Sequence, residues 1–426
     1  MFTFITLPVE LVYRILDHLE ALDLFCSMHN VCHRFNQILY AYDRYQVNIC
    51  IYITLLRVWT LTTLDLRYNK IDDQKVQHLA NVLRVNSTVT KLNLFKTDIG
   101  VQGAQYLADA FRNNTTLIEL NLSEDYIREK GVQHLTDALQ VNSTLTKLRL
   151  SSDQIGDREV KHVADALRVN TKLAQLTLSS RQIRDQGVKH VADALQVNTT
   201  LTELIFVGCQ IGDRAAQYLA DVLQFNSTLT KLYFWFNKTG DQGAQYLSHA
   251  LQINSSLTTL YFWCNQIGNQ GVQHLAYALR VNAALVILDL RCNRIGDQGA
   301  RHLADALQMN STLVTLDLRY NKIGDEGAQH LADALQVNST LTTLNLSENQ
   351  IGRQGAQNFA DALRINKTLA ILDLHDNKIG AEGVLYLTDT ALVNTVIFIP
   401  FRFLLNMHTS FVFIQTCSIA FDQLRM

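Results

Sequence analysis

Proline is nearly absent from these 426 residues, with two in all, and that excludes proline-rich linkers and polyproline segments. Cysteine is scarce: seven, an odd number widely spaced, which argues against a disulfide framework and for a reduced, intracellular protein in the cytoplasm or nucleus. The opening MFTFITLPVELVYRI has no basic n-region, long apolar run or small-residue cleavage site, so no secretory signal is expected. Neither sign of charge dominates. With 37 basic and 39 acidic side chains there is no global attraction to phosphate, and nucleic acid is not an expected partner. No G-x-x-x-x-G-K-[ST] loop exists, and no local motif supplies a nucleophile with a base and its orienter. An enzyme, a cofactor and a metal are therefore not expected.

What the chain has in plenty is repetition. A 28-residue period starts at Leu61, Val89, Leu117, Leu145, Leu173, Leu201, Leu229, Leu257, Leu285, Leu313, Leu341 and Leu369, giving twelve units over residues 61–396. A typical unit is LVTLDLRYNKIGDEGAQHLADALQVNST, from Leu313 to Thr340. Its first part alternates (Leu316, Leu318) like a short strand. Its second part spaces Ala328, Leu331, Ala332 and Leu335 like an amphipathic helix. Asp325 is expected to cap that helix, and the asparagine at unit position 26, present in all twelve units, to close it in a left-handed conformation. Nine of these asparagines lie in Asn-x-Ser/Thr sequons, such as Asn226 and Asn338, and are read as repeat grammar rather than glycan sites. Strands pack about 4.8 Å apart and helices about 10 Å apart, so stacked units should curve toward the strands.

The pattern L-x-x-L-x-L-x-x-N with a helical second half resembles the leucine-rich repeat, and its 28-residue length resembles the ribonuclease-inhibitor type. The implied fold class is α/β: a right-handed solenoid or horseshoe with a concave parallel sheet and convex helices. The recurring asparagine at position 9 (Asn69, Asn237, Asn265, Asn293, Asn321, Asn349, Asn377) should form a hydrogen-bonded ladder. It lapses to Thr97, Asp125, Asp153, Arg181 and Cys209, where a looser stretch is expected.

The flanks obey other patterns. Residues 1–45 form a small helical module, with stripes Leu11, Ile15, Leu19 and Leu24, Met28, Val31, Phe35, Ile38. The order Leu7-Pro8-x-Glu10-Leu11, Ile15-Leu16, Leu19, Asp23-Leu24 and Val31-Cys32-x-Arg34-Phe35 resembles the F-box. That resemblance implies a Skp-family adaptor of a cullin-RING ubiquitin ligase as partner, docked on Leu7, Pro8, Glu10, Leu11 and Ile15. Residues 46–60 read as a capping half-repeat. Residues 397–426 form an apolar tail or cap. Pro400, Arg402, Asn406 and His408 interrupt it, which argues against a membrane span.

Of the nineteen glycines, eighteen fall at unit positions 12 and 15, and seven of the thirteen histidines share position 18, so neither set marks a site. Cys264 and Cys292 occupy one position in adjacent units and are expected as free thiols. Variation against the constant repeat is more informative. Because positions 4 and 6 point inward, positions 3, 5 and 7 face the sheet surface, with position 8 at its edge. That surface is polar in early units, then carries Ile205 and Val207, next Tyr233, Trp235 and Phe236, and then Tyr261 and Trp263. Asp289, Arg291 and Arg319 follow. Clustered aromatics with charged neighbours have the makeup of a protein-binding hot spot, and these ten residues are the expected substrate-binding set. The expected function is substrate recognition for an SCF-type ubiquitin ligase. The alternatives are a Ran-type GTPase-activating protein and a non-catalytic scaffold or immune-type recognition protein.

Overall fold

The computed structural model describes residues 61–123, 125–391 and 397–399. They fall into two compact units, one ending at Ser152 and the other beginning at Asp153. The expected modules at 1–45 and 46–60, with Leu7, Pro8, Glu10, Leu11 and Ile15, lie outside the described residues, as does the tail beyond Ile399.

The first unit alternates β1 (Thr63–Asp65), β2 (Lys91–Asn93), β3 (Glu119–Ser123) and β4 (Lys147–Ser151) with the helices Asp73–Leu83, Val101–Phe111 and Arg128–Leu139. The second carries β5 (Gln175–Ser179), β6 (Glu203–Val207), β7 (Lys231–Trp235), β8 (Thr259–Tyr261), β9 (Ile287–Asp289), β10 (Thr315–Asp317), β11 (Thr343–Asn345), β12 (Ile371–Asp373) and β13 (Ile397–Ile399). A helix fills every interval, as Asp325–Val337 does between β10 and β11. In each unit the strands pair in parallel and in chain order. The register is one whole repeat: Leu92 faces Leu120 in the first unit, and Leu204, Leu232 and Leu260 line up in the second. Each side chain on the sheet therefore has the same unit position of the flanking repeats as its neighbours. This is a leucine-rich-repeat solenoid in which the alternation of strand leucines and the helical stripe meet in one core. Leu316, Leu318, Leu331 and Leu335 are fully buried there. Phe206, Phe234 and Phe262 replace leucine at position 6 and stack edge to face, 6.0 and 5.9 Å between ring centres.

Two expectations about helix ends need correction. Asp325 does not cap its own helix, because the N-cap is Gly324. Its carboxylate instead accepts the backbone N–H groups of Gly352 (2.7 Å) and Gly355 (2.8 Å), at the start of the next repeat's helix. Asp213, Asp241 and Asp297 do likewise, so the caps run as a relay from repeat to repeat. The physical reason is stacking: in-register helices place one N-terminus beside the next, and unpaired N–H groups there attract an anion. The relay also explains glycine at position 15. A Cβ on Gly355 would lie 2.8 Å from the Asp325 carboxylate and 2.9 Å from Ala328 Cβ.

The position-26 asparagine is not left-handed: Asn338 has φ −73° and ψ 127°. Its Oδ1 accepts Thr340 N–H and Leu341 N–H, and its Nδ2 donates to Leu307 O of the preceding repeat at 2.7 Å. Buried and hydrogen-bonded on both sides, it is a structural staple. Left-handed backbone occurs instead at position 8, in Phe236, Cys264, Cys292, Tyr320, Glu348 and Asp376.

The position-9 ladder forms. Asn265 Nδ2 donates to Phe234 O, and Asn293 Oδ1 accepts Ile267 N–H. Where asparagine lapses, Thr97 and Asp125 keep part of it, Asp125 Oδ1 accepting the N–H groups of Thr97 and Ile99. Cys209 makes long sulfur contacts, 3.5 Å to Val207 O and 3.9 Å to Leu178 O.

Candidate functional site

Strands β7 and β8 carry the aromatic columns. The register sets Tyr233 beside Tyr261, and their rings stack 4.6 Å apart at 7°. Trp235 meets Tyr233, Tyr261 and Trp263 edge-on at 5.4, 6.2 and 5.6 Å. Phe236, held by its left-handed backbone, tilts against Trp263 at 4.6 Å. The five rings form one half-buried platform on the sheet face. Edge-to-face and offset packing of this kind holds rings in place and leaves one broad apolar surface.

The neighbouring columns brace it. Ile205 is buried at 6% exposure beside Tyr233, while Val207, beside Trp235, stays half-exposed. On the other side the Arg291 guanidinium lies over the Trp263 ring at 4.7 Å, a cation–π contact. Its Nε donates to Asp289 at 2.7 and 2.9 Å and lies 3.5 Å from Asp317, which also holds Arg319 at 2.8 Å. Asp289 is 1% exposed, so it positions Arg291 rather than presenting itself at the surface. Burial pushes its carboxyl above the ordinary carboxylate range against the hydrogen bond from Arg291, and Asp317 adds to the rise. Burial also pushes the Tyr233 phenol up to about 12, with Glu203 adding to it.

The structure thus brings together the expected residues from Ile205 to Arg319 on one sheet surface. The aromatics stack on one another and remain partly exposed. One feature was not legible. The Trp235 indole N–H is buried and lacks an acceptor among the described residues, which strands a donor at a cost of about 1 to 3 kcal/mol. Sequence reading also passed over position 25, where Val197, Phe225, Ile253, Val281 and Met309 stand exposed at the C-terminal ends of the helices. Reading that column as the sheet columns were read would have found it. Cys264 and Cys292 are not joined in a disulfide, and a side-chain hydrogen bond with Cys264 holds the Cys292 thiol below its ordinary range. Among the described residues no helix is long and apolar enough to cross a membrane.

Comparison with known proteins agrees with this architecture. Residues 59–179 and 125–243 match the family described as TMOD/LMOD leucine-rich domain. Residues 254–276, 281–304, 310–332, 337–360 and 366–387 match the one described as leucine-rich repeat. Neither description names the ribonuclease-inhibitor type, and no F-box is found. Among solved structures the chain is similar to one titled leiomodin-1 actin-binding site 2, at 27% identity over 29% of this chain and 70% of that one, TM-score 0.26. It is also similar to an internalin (inlF) from Listeria monocytogenes, at 22% identity over 70% of this chain and 84% of that one, TM-score 0.41. No curated protein matches.

Proposed function

We propose that this leucine-rich repeat protein, with repeats matched across residues 59–243 and 254–387, recognises a protein partner on the platform of Tyr233, Trp235, Phe236, Tyr261 and Trp263. The observation that carries the reading is placement. The aromatics sit at outward positions of β7 and β8, while the core beneath them is already filled by Phe234 and Phe262, both fully buried. They are not needed to complete the repeat. A Trp enclosed at an interface contributes about 2 kcal/mol or more, and a platform held by its own stacking gives up little side-chain entropy on binding.

The finer part of the proposal is that the bound protein is a substrate handed to a cullin-RING ubiquitin ligase. Its support is the resemblance of residues 7–35 to an F-box, which would dock on a Skp-family adaptor. The platform and the adaptor are tested apart. Proximity labelling from the full chain should recover partners that are lost on Trp235→Ala with Trp263→Ala and retained on His302→Ala with His330→Ala, two changes on the helix face. Pro8→Ala with Leu11→Ala should abolish co-purification of the adaptor while the repeats stay folded. Adaptor binding unchanged by that double substitution ends the ligase reading and leaves the platform reading standing.

A further inference from the structure

The last repeats of the array break their own pattern at one spot. At unit position 7, Arg291 and Arg319 each turn back onto the aspartate two residues earlier. In β12 that aspartate is Asp373, and a histidine stands where the arginine was. Asp373 Oδ1 holds His375 twice, at its backbone N–H (3.1 Å) and at ring Nδ1 (2.6 Å). Its Oδ2 accepts the amide of Asn345 at 3.0 Å. Buried and held on both oxygens, Asp373 fixes the ring and leaves Nε2 as the outward nitrogen. At position 8, where the preceding repeats carry Phe236, Cys264, Cys292 and Tyr320, the next two carry Glu348 and Asp376. Their left-handed backbones set both carboxylates beside the imidazole. His375 Nε2 lies 3.6 Å from Asp376 Oδ2, and one ligand atom from each of Glu348, His375 and Asp376 falls within 4.8 Å of the others.

We propose that Glu348, His375 and Asp376 form a binding site for a divalent transition ion of the Zn²⁺ class, with Asp373 as the carboxylate that orients the histidine. Three independent features converge on this assignment. The donor set, one imidazole and two carboxylates, suits a borderline ion, and two carboxylates match its charge. The Asp373–His375 hydrogen bond is the arrangement in which a metal-bound histidine gives its other ring N–H to a carboxylate. The geometry also fits: a tetrahedral shell at about 2.1 Å has edges of about 3.4 Å, so the His375–Asp376 edge of 3.6 Å is nearly in place and Glu348 lies within 4.8 Å of both. Glu348 and His375 are half-buried and Asp376 is exposed, which leaves a fourth position open to water or to a carboxylate of a bound partner. Against the rest of the sheet this is the one place among the described residues where acids occupy position 8 of two successive repeats beside a position-7 histidine. It lies apart from the histidine column of the helices, which is why that column gave no hint of it.

The competing account is a protonated His375 paired with the carboxylates and no ion. Titration of the metal-free full chain with Zn²⁺ by calorimetry, and with Co²⁺ by absorption, separates the two. One equivalent should bind, with Co²⁺ bands of nitrogen and oxygen ligation and no thiolate charge-transfer band. His375→Ala should weaken binding by about 100-fold and Asp373→Asn by about 10- to 100-fold. Asp376→Asn, at an exposed position where folding is not at risk, should weaken it by about 10-fold, and Cys264→Ser with Cys292→Ser should leave it unchanged. No heat and no Co²⁺ spectrum, or affinity untouched by Asp376→Asn, or a thiolate band that disappears with the two cysteines, each overturns the assignment.

Discussion

Replacing Asp325 by Ala tests the cap relay, because its effect should appear in a helix to which the residue does not belong. The Asp325 carboxylate accepts two backbone N–H groups of the next repeat, from Gly352 at 2.7 Å and from Gly355 at 2.8 Å. Loss of a side-chain cap costs about 1 kcal/mol, and loss of an anion at a helix N-terminus adds about 0.3 to 1 kcal/mol. The total is about 2 kcal/mol, localised at the start of the helix Arg353–Ile365. Its own helix begins at Gly324, whose N–H is held by Asp297 and is untouched by the substitution. Amide hydrogen exchange read residue by residue should therefore show Gly352 and Gly355 exchanging about 30-fold faster, while Gly324 and Gly327 keep their protection. Protection lost at Gly327 and Ala328 but kept at Gly355 would refute the relay and restore the simpler picture of an aspartate capping its own helix.

Two other consequences follow from the packing and the ladder. Leu318 is fully buried, so Leu318→Ala should cost about 2 to 5 kcal/mol and loosen repeats nine to eleven before more distant ones; exchange that rises uniformly along the chain contradicts this. Asp125 is buried and its carboxyl is raised to about 6, chiefly by burial and against the N–H groups of Thr97 and Ile99. A carboxyl raised on folding keeps its proton while the unfolded chain releases it. Stability of the first unit should thus fall by about 3 kcal/mol between roughly pH 4 and pH 6 on this group's account. Asp125→Asn, which puts back the residue used at this position in seven repeats, should flatten that dependence and stabilise the unit at pH 7.5 in urea unfolding. A variant less stable at pH 7.5 with the slope unchanged would show that Asp125 is not the titrating group.

Strand and helix alternation, the 28-residue register and the inward leucines were legible because each is a local periodicity repeated twelve times. The platform was legible for the same reason, since positions 3, 5 and 7 of a strand must share a face and Tyr233 must therefore neighbour Tyr261. The caps were misassigned because Asp325 sits at a helix start in sequence and beside a different helix in space. No single repeat contains Asp325 together with Gly352 and Gly355. The asparagine at position 26 was misread likewise, since its amide reaches Leu307 O, 31 residues back. The stranded Trp235 N–H and the seat of the Arg291 guanidinium over the Trp263 ring depend on side-chain rotation, which periodicity does not encode. His375 escaped notice because its partners come from two repeats and it stands outside the histidine column.

The central claim is that the sheet face around β7 and β8 receives a protein. A photo-crosslinking residue in place of Val207, half-exposed at the platform's edge, tests it most directly against the same residue in place of His302 on the helix face. Position 207 should give a discrete crosslinked partner that disappears when Trp235→Ala and Trp263→Ala are added, and position 302 should give none. The same partner captured from position 302 and not from 207 would place the binding face on the helices and contradict the account.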